Sequence, residues 1–126
     1  MVLAVGTFSV SCEFANIADR NRRITVPKMY VDTGSEYTWA PRPDLERIGV
    51  NLEKKDLAFV MANGQQITRS VGFAIVHVGA RFTVDEVVFA EEGDLFLLGA
   101  RSLEGLNLTV DPSGKKLVAS GPLPAA

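Results

Sequence analysis

The chain has 126 residues, the size of one domain, and we predict a single domain over residues 1–126. Hydrophobic residues make up 47% of it, which is typical of a globular protein and argues against disorder. The net charge of −2 gives no electrostatic reason to expect binding to nucleic acid or to a membrane surface, and no segment approaches the roughly 20 apolar residues that span a bilayer. The single cysteine, Cys12, rules out an internal disulfide, which suits a cytoplasmic protein.

The first part of the chain predicts two strands and a short helix. Residues 7–14 alternate between apolar and polar side chains, as a half-buried strand does, and put Cys12 on the apolar face. After a polar turn, residues 23–31 form a second apolar strand. Pro27 predicts an edge position or a bulge there, because proline cannot donate a ladder hydrogen bond. The helix that follows has Pro43 at a first helical position and Gly49 just after its end.

The middle of the chain predicts a hairpin. Residues 57–62 are strand-like and are followed by Asn63 and Gly64. Asn-Gly favours a two-residue type I′ turn, because both central positions of that turn need a positive φ. Such a turn would pair Val60 with Ile67.

The remaining segments predict, in chain order, a strand pair over residues 71–78 and 81–89, an apolar run over 95–98, a short helix over 100–106 and a last hairpin over 108–110 and 116–119. The loop of that hairpin, residues 111–114, carries Asp, Pro and Gly at the positions that a type I turn prefers. Residues 119–126 are expected to fray. The fold class is therefore mostly β with one or two short helices.

One loop carries recognisable chemistry. Asp32, Thr33, Gly34 and Ser35 follow the second apolar strand, and Asp-Thr-Gly is the loop of aspartic proteases. Their chemistry needs two carboxyls that share a proton, so a single copy of the loop implies a second chain. Ser35 is expected to donate a hydrogen bond to the Asp32 carboxylate, and Thr33 to bridge to the partner loop. On its own the tripeptide favours an Asx-type turn at a strand end.

The surrounding sequence distinguishes these interpretations. An apolar strand precedes Asp32, a hairpin follows about thirty residues later, and then come Leu97-Leu98-Gly99 and a short helix. With YVDTGSEYTW at residues 30–39 and LLGARSLEGLNLTVDPSGKKL at residues 97–117, the chain resembles the retropepsin-like aspartic proteases, most closely their small bacterial members. The resemblance covers about residues 7–118.

The resemblance implies a closed β-barrel of the acid protease fold and a homodimer with its active site on the two-fold axis. It implies an aspartic endopeptidase that cleaves a peptide or protein substrate without a cofactor. The implied catalytic residues are Asp32, Thr33, Gly34 and Ser35. Residues 59–68 would be the flap that closes over substrate. The expected substrate-binding residues are Glu36, Trp39, Met61, Ala62, Asn63, Gly64 and Leu97.

The chain departs from the family pattern in two places, and the second of them, the short flap, leaves an alternative open. Ser35 replaces the alanine common in retroviral members, and the flap tip is only Asn63-Gly64 instead of a longer glycine-rich stretch. A retropepsin-like dimer that binds peptides or scaffolds a complex without cleavage is therefore the second interpretation. Trp39 could be a core residue or a pocket wall, and Glu36 could contact substrate or simply be solvated. No metal site is expected, since the chain has one histidine and no metal-ligand spacing.

Overall fold

The computed structural model describes residues 8–111, 113 and 115–125, which form nine strands and two short helices. The prediction of a mostly β fold with one or two short helices is confirmed. The elements in chain order are β1 (Ser9–Ala15), β2 (Arg23–Val31), β3 (Thr38–Pro41), α1 (Arg42–Arg47), β4 (Lys54–Val60), β5 (Gln66–Val78), β6 (Arg81–Ala90), β7 (Leu97–Leu98), α2 (Ala100–Leu106), β8 (Leu108–Asp111) and β9 (Lys116–Ala119). No helix among these described residues is long and apolar enough to cross a membrane.

Seven strands form one sheet in the order β1-β2-β7-β3-β6-β5-β4, while β8 and β9 pair separately. Strand β5 has β6 along one side, and its other side pairs first with β4 and then with β1. Because β1 has partners on both sides, β2 and β5, the sheet curves back on itself. Strands β2 and β7 are parallel, so their carboxyl ends meet at the same edge of the sheet. This places the loop after β2 beside the start of α2.

The bulge within β2 and the end of α1 follow the sequence expectation. The pairing of β1 with β2 shifts so that the single residue Ser11 lies opposite both Pro27 and Lys28, which is the predicted bulge at the proline. Gly49 follows the C-cap of α1 with a φ of +77°, a conformation that glycine adopts without steric cost. Pro43 lies in the first turn of α1, at its second residue instead of its first.

The buried side chains form two clusters on opposite faces of the sheet around β5 and β6. The larger one includes Phe14, Met29, Phe89 and Leu98. The smaller one, which we call the groove cluster, consists of Trp39, Val71, Val88, Ala90 and Leu97. Four half-buried side chains of the β4–β5 hairpin pack against the groove cluster: Leu57, Phe59, Met61 and Ile67. Residues 57–67 of the hairpin are thereby held against the sheet mainly through apolar contacts.

The predicted geometry of this hairpin was wrong. Val60 pairs with Gln66, and Phe59 pairs with Ile67, so the register is shifted from the predicted Val60–Ile67 pair. The Gly64 N–H donates to the Met61 carbonyl (2.8 Å), and only Gly64 of the Asn-Gly pair has a positive φ, +85°. This is a three-residue loop with a type I turn and a left-handed glycine, not a type I′ turn. The shifted register keeps Phe59 and Ile67 together on the groove cluster, which a one-residue slip would prevent.

The second half of the chain largely follows the predicted elements. The turn at residues 79–80 connects β5 to β6, and α2 and the β8–β9 hairpin lie where the patterns place them. The turn predicted over residues 111–114 includes Pro112 and Gly114, which lie outside the described residues. The expectation of fraying from residue 119 is not supported for the next two residues. Ser120 N–H donates to the Asn107 carbonyl (3.0 Å), and the Asn107 amide donates to the Gly121 carbonyl (2.9 Å).

Candidate active site

The Asp32 loop begins where β2 ends. The Asp32 N–H donates to the Leu98 carbonyl of the parallel strand β7 (3.0 Å), which fixes the start of the loop. The half-buried carboxylate accepts the Gly34 N–H at Oδ1 (3.0 Å), and the Ser35 N–H donates to the Asp32 carbonyl (3.2 Å). Thr33 and Gly34 are exposed. The loop therefore presents a main-chain-anchored carboxylate at the surface of the chain.

Helix α2 and the Asp32 loop hold each other in place. The first N–H groups of a helix have no partner inside it. Here the Ala100 N–H donates to the Ser35 carbonyl (2.7 Å), and the Arg101 N–H donates to the Glu36 carbonyl (3.1 Å). Gly99, just before α2, lies so close to the loop that an added Cβ would be 2.3 Å from the Tyr37 carbonyl oxygen. Only a residue without a side chain fits this contact.

A chain of buried hydrogen bonds runs beneath the loop. The Ser102 hydroxyl donates to the Asp85 carboxylate (2.7 Å), so its oxygen accepts from the Thr38 hydroxyl (2.6 Å). Thr38 Oγ1 in turn accepts the Gly99 N–H (3.0 Å). Thr38 and Ser102 are fully buried, and each hydroxyl has both a donor and an acceptor role in this chain. The network connects β3, β6 and α2 directly under the candidate catalytic loop.

The predicted role of the Ser35 hydroxyl was wrong. It donates to the Tyr37 carbonyl two residues further on (2.8 Å), not to the Asp32 carboxylate. Serine readily makes such local bonds to the main chain, which compete with longer-range partners. The bond that orients the carboxylate comes instead from the Gly34 N–H. Ser35 therefore stabilises the shape of the loop.

A groove of about 390 Å³ lies between the Asp32 loop and the β4–β5 hairpin. Its walls are formed by Asp32, Gly34, Ser35, Glu36, Tyr37, Trp39, Phe59, Val60, Met61, Ala62 and Leu97. Five predicted substrate-binding residues are in this wall: Glu36, Trp39, Met61, Ala62 and Leu97. The other two are elsewhere. Asn63 lines an adjacent cavity of about 230 Å³, and Gly64 is exposed at the hairpin tip, where an added Cβ would meet no atom within 4 Å.

Three residues of the groove were not singled out from the sequence: Tyr37, Phe59 and Val60. Phe59 lies two residues before Met61 and so shares its face of the strand, a period that could have identified it. Its ring is perpendicular to Tyr37 with centroids 5.4 Å apart, and its centroid is 5.2 Å from that of Trp39. Trp39 is only 4% exposed, so it is both a core residue and a wall of the groove. The groove thus has an aromatic wall facing the carboxylate loop.

A cluster of three charged residues, Lys54, Glu86 and Arg101, lies beside Tyr37. Glu86 accepts hydrogen bonds from Lys54 (2.6 Å) and Arg101 (3.2 Å), and the Arg101 guanidinium lies 5.0 Å from the centre of the Tyr37 ring. The bond from Lys54 is the main reason that the pKa of Glu86 lies below its usual value, and a hydrogen bond from Tyr37 acts in the same direction. Glu86 is therefore ionised at neutral pH, and it links the hairpin strand β4 to α2.

The other residues with reactive side chains do not form another candidate catalytic site in the described part of the chain. Burial raises the pKa of the Cys12 thiol to about 12, so this thiol is protonated and unreactive at neutral pH. The pKa of His77 is lowered by burial and by the nearby Arg23, whose guanidinium is 3.3 Å from Nε2. No group of three or more His, Cys, Asp or Glu within the described residues is arranged to hold a metal ion.

Comparisons with known proteins add no relative to this description. No protein-family model matches the sequence, and a search of the curated proteins finds no significant match. The function therefore has to be inferred from the residues and geometry of the groove.

Proposed function

We propose that this protein is a retropepsin-like aspartic endopeptidase that acts as a homodimer. The observation that carries the proposal is the position of Asp32. Its carboxylate stands in the wall of a groove, opposite a hairpin, and one of its oxygens is fixed by the Gly34 N–H (3.0 Å). The pairing of β1 with both β2 and β5 supports the closed barrel that the proposed fold requires.

A second copy of the chain completes the chemistry. Within the described residues Asp32 Oδ2 accepts no hydrogen bond, and the Thr33 hydroxyl has no partner. Both groups are therefore available to a symmetric copy of the same loop, as a two-fold interface requires. Two carboxyls about 3 Å apart cannot both ionise cheaply, so the pair would hold a single proton.

The reaction then follows from that shared proton. The ionised carboxyl takes a proton from a water molecule, and this water attacks the carbonyl carbon of the peptide bond. The protonated carboxyl donates a hydrogen bond to the carbonyl oxygen and stabilises the charge that develops there. The tetrahedral intermediate then collapses: the C–N bond breaks, and the carboxyl that took the water proton donates it to the departing amine nitrogen. The aromatic wall and the hairpin exclude bulk water and hold an extended peptide, with Trp39, Met61 and Leu97 against its side chains. The mechanism needs no metal or organic cofactor.

The proposal is tested by combining sedimentation with peptide hydrolysis. We expect a dimer at tens of micromolar protein and cleavage of a peptide library with a bell-shaped, acid-leaning pH profile, because two coupled carboxyls titrate as a pair. A chain that stays monomeric with and without a peptide inhibitor contradicts the dimer. A rate that climbs steadily from about pH 6 to 9 contradicts a carboxyl pair.

One observation favours a second candidate, a dimer that binds peptides without cleaving them. The hairpin loop has only three residues, and Gly64 at its tip is outside the groove wall. A short tip covers less of a bound peptide and excludes less water. If a labelled peptide binds the dimer but is recovered intact after long incubation, this second function replaces the first. The cytoplasm remains the proposed location, since the single buried thiol needs no oxidising compartment.

A further inference from the structure

The hairpin leaves the sheet before it reaches the groove. The last pair between β5 and β6 is Val71 with Val88, and β6 then continues along β3. Residues 58–68, which we call the outer hairpin, therefore pair only with one another. At its base, Lys55 and Asp56 lie opposite the single residue Ser70, and Asp56 has a φ of +53°. A two-stranded ribbon beyond such a bulge has little stability of its own, so other contacts must set its angle.

Apolar packing alone does not define that angle. The side chains of Phe59, Met61 and Ile67 rest on the groove cluster. Such contacts stabilise the hairpin in proportion to the area buried, but they are not directional. The loop at the tip adds only internal bonds, such as Gln65 N–H to Asn63 Oδ1 (2.9 Å).

Lys54 bonds Glu86 below the bulge, and above the bulge one directional side-chain contact joins residues 57–69 to the rest of the chain. Arg69 donates through Nε to Asp94 Oδ2 (2.7 Å) and through a terminal nitrogen to Oδ1 (2.9 Å). Only 17% of the Arg69 side chain and 10% of the Asp94 side chain are exposed. A two-pronged arginine–carboxylate pair fixes orientation as well as distance. Among the described residues, no other side-chain hydrogen bond connects residues 57–69 to the rest of the chain.

The carboxylate of this pair is itself held rigidly. Asp94 Oδ2 also accepts the Glu91 N–H (2.8 Å), and the Asp94 N–H donates back to the Glu91 carbonyl (3.0 Å). Arg42 in turn bonds the Glu91 carboxylate (2.8 Å). The turn at residues 91–94 is therefore a fixed anchor for Arg69.

A cavity beside the hairpin offers space into which the hairpin could move if the Arg69–Asp94 pair were absent. Met61 and Ala62 line both the groove and the adjacent cavity of about 230 Å³, and Arg69 and Asp94 also line that cavity. Without the Arg69–Asp94 pair, the outer hairpin could move into this cavity and away from the groove. We propose that the Arg69–Asp94 pair is a latch that sets the angle of the outer hairpin over the groove, and that Arg69 is a positioning residue for substrate binding. The effect on substrate depends on the proposed function, whereas the effect on the hairpin does not.

The test uses amide hydrogen exchange of the full chain at neutral pH. In Arg69→Met and in the double variant Arg69→Met/Asp94→Asn, amides of the outer hairpin should exchange about tenfold to a hundredfold faster than in the wild type. The double variant leaves no buried charge unpaired, so the latch stays testable if Arg69→Met alone does not fold. Arg69→Lys keeps the charge without the two-pronged geometry and should fall in between. The matched control is Arg23→Met, which removes a remote arginine that pairs with Glu13.

Protection of β5 residues 71–78 separates local opening from general destabilisation. The latch predicts that these amides keep wild-type exchange while the outer hairpin opens. Equal acceleration in both segments, or hairpin exchange no faster than in Arg23→Met, overturns the proposal.

Kinetics give a second readout if the wild type cleaves peptides. The latch variants should raise KM about tenfold with kcat changed by less than about threefold, because hairpin contacts act on bound substrate and on the transition state alike. A fall in kcat at unchanged KM contradicts this positioning role. If the wild type cleaves no peptide, the proposed function fails, and the exchange data still decide the latch.

Discussion

The two walls of the groove are built differently. The Asp32 wall is held by main-chain hydrogen bonds to β7 and α2, by the close contact at Gly99 and by the buried chain through Thr38 and Ser102. The hairpin wall is a two-stranded ribbon that rests on apolar contacts and on the Arg69–Asp94 pair. The comparison indicates that the two walls of the groove have different roles. The wall that carries the carboxylate is fixed, as the proposed catalysis requires, and the opposite wall has fewer restraints, so it can adapt to the proposed peptide substrate.

The largest expected effect is on the chemistry of the fixed wall. Asp32→Asn keeps the shape of the side chain but removes the ionisable pair, so peptide hydrolysis should fall by several orders of magnitude. The fold should persist, because Asn retains an oxygen for the Gly34 N–H. The control is Asp56→Asn, an exposed residue with a positive φ that asparagine tolerates. Unchanged hydrolysis in the Asp32 variant contradicts the catalytic assignment.

The next effect tests how rigid the fixed wall is. In Gly99→Ala the new Cβ would be 2.3 Å from the Tyr37 carbonyl oxygen, a main-chain atom that cannot turn aside. The free energy of unfolding should fall by about 1–3 kcal/mol or more, and activity should fall with it because the loop must shift. Chemical denaturation measures the free energy of unfolding, and peptide turnover measures the activity. A variant as stable and active as the wild type shows that the Asp32 wall is softer than we describe.

A smaller effect on stability is expected in the adaptable wall. Gly64→Val places a β-branched residue at a φ of +85°, which strains the turn but meets no neighbouring atom. The thermal midpoint should drop less than in Gly99→Ala, while peptide turnover at substrate concentrations below KM should fall through poorer closure of the hairpin. Gly64→Asn is the matched control, because asparagine accepts this φ. If turnover in Gly64→Val equals that of the control, the hairpin is not a flap.

The smallest effect concerns pH. Burial would raise the pKa of Asp94, but hydrogen bonds from Arg69 and from the Glu91 N–H outweigh it and lower this pKa below its ordinary value of 3.8. The pair therefore stabilises the folded state at pH values above 3.8, the ordinary pKa of an aspartate. This stabilisation is lost as the pH falls through the lower pKa that Asp94 has in the folded state. Hairpin protection factors should decrease on acidification from about pH 5 to 3, and Asp94→Asn should flatten this dependence. If the wild type and Asp94→Asn show the same acid dependence, groups other than Asp94 cause that dependence.

Much of the fold could be predicted from short sequence patterns, because turns, bulges and helix ends depend on the residues at those positions. The bulge at Pro27, the glycine after α1 and the bounds of α2 follow from residues at those positions. The turn at Asn63-Gly64 was mispredicted because packing of Phe59 and Ile67 on the groove cluster decided the register against the two-residue turn.

The site was predicted in part for the same reason. The Asp32 loop and five groove residues lie in segments with a clear pattern. The Ser35 bond, the chain from Thr38 to Asp85 and the Arg69–Asp94 pair were not predicted. Most of these contacts join residues far apart in sequence, which no local pattern encodes. In the Ser35 case, a nearer carbonyl competed with the expected carboxylate.

The central claim is that two Asp32 carboxyls form one active site, and mixing two chains tests it most directly. Wild-type and Asp32→Asn chains are combined in equal amounts, exchanged to equilibrium and compared with wild type at the same total concentration. If each site needs Asp32 from both protomers, the activity falls to roughly a quarter, since only that fraction of dimers is wild type on both sides. Activity that falls to roughly half, in proportion to the wild-type chain, would mean that one chain suffices and would contradict the account.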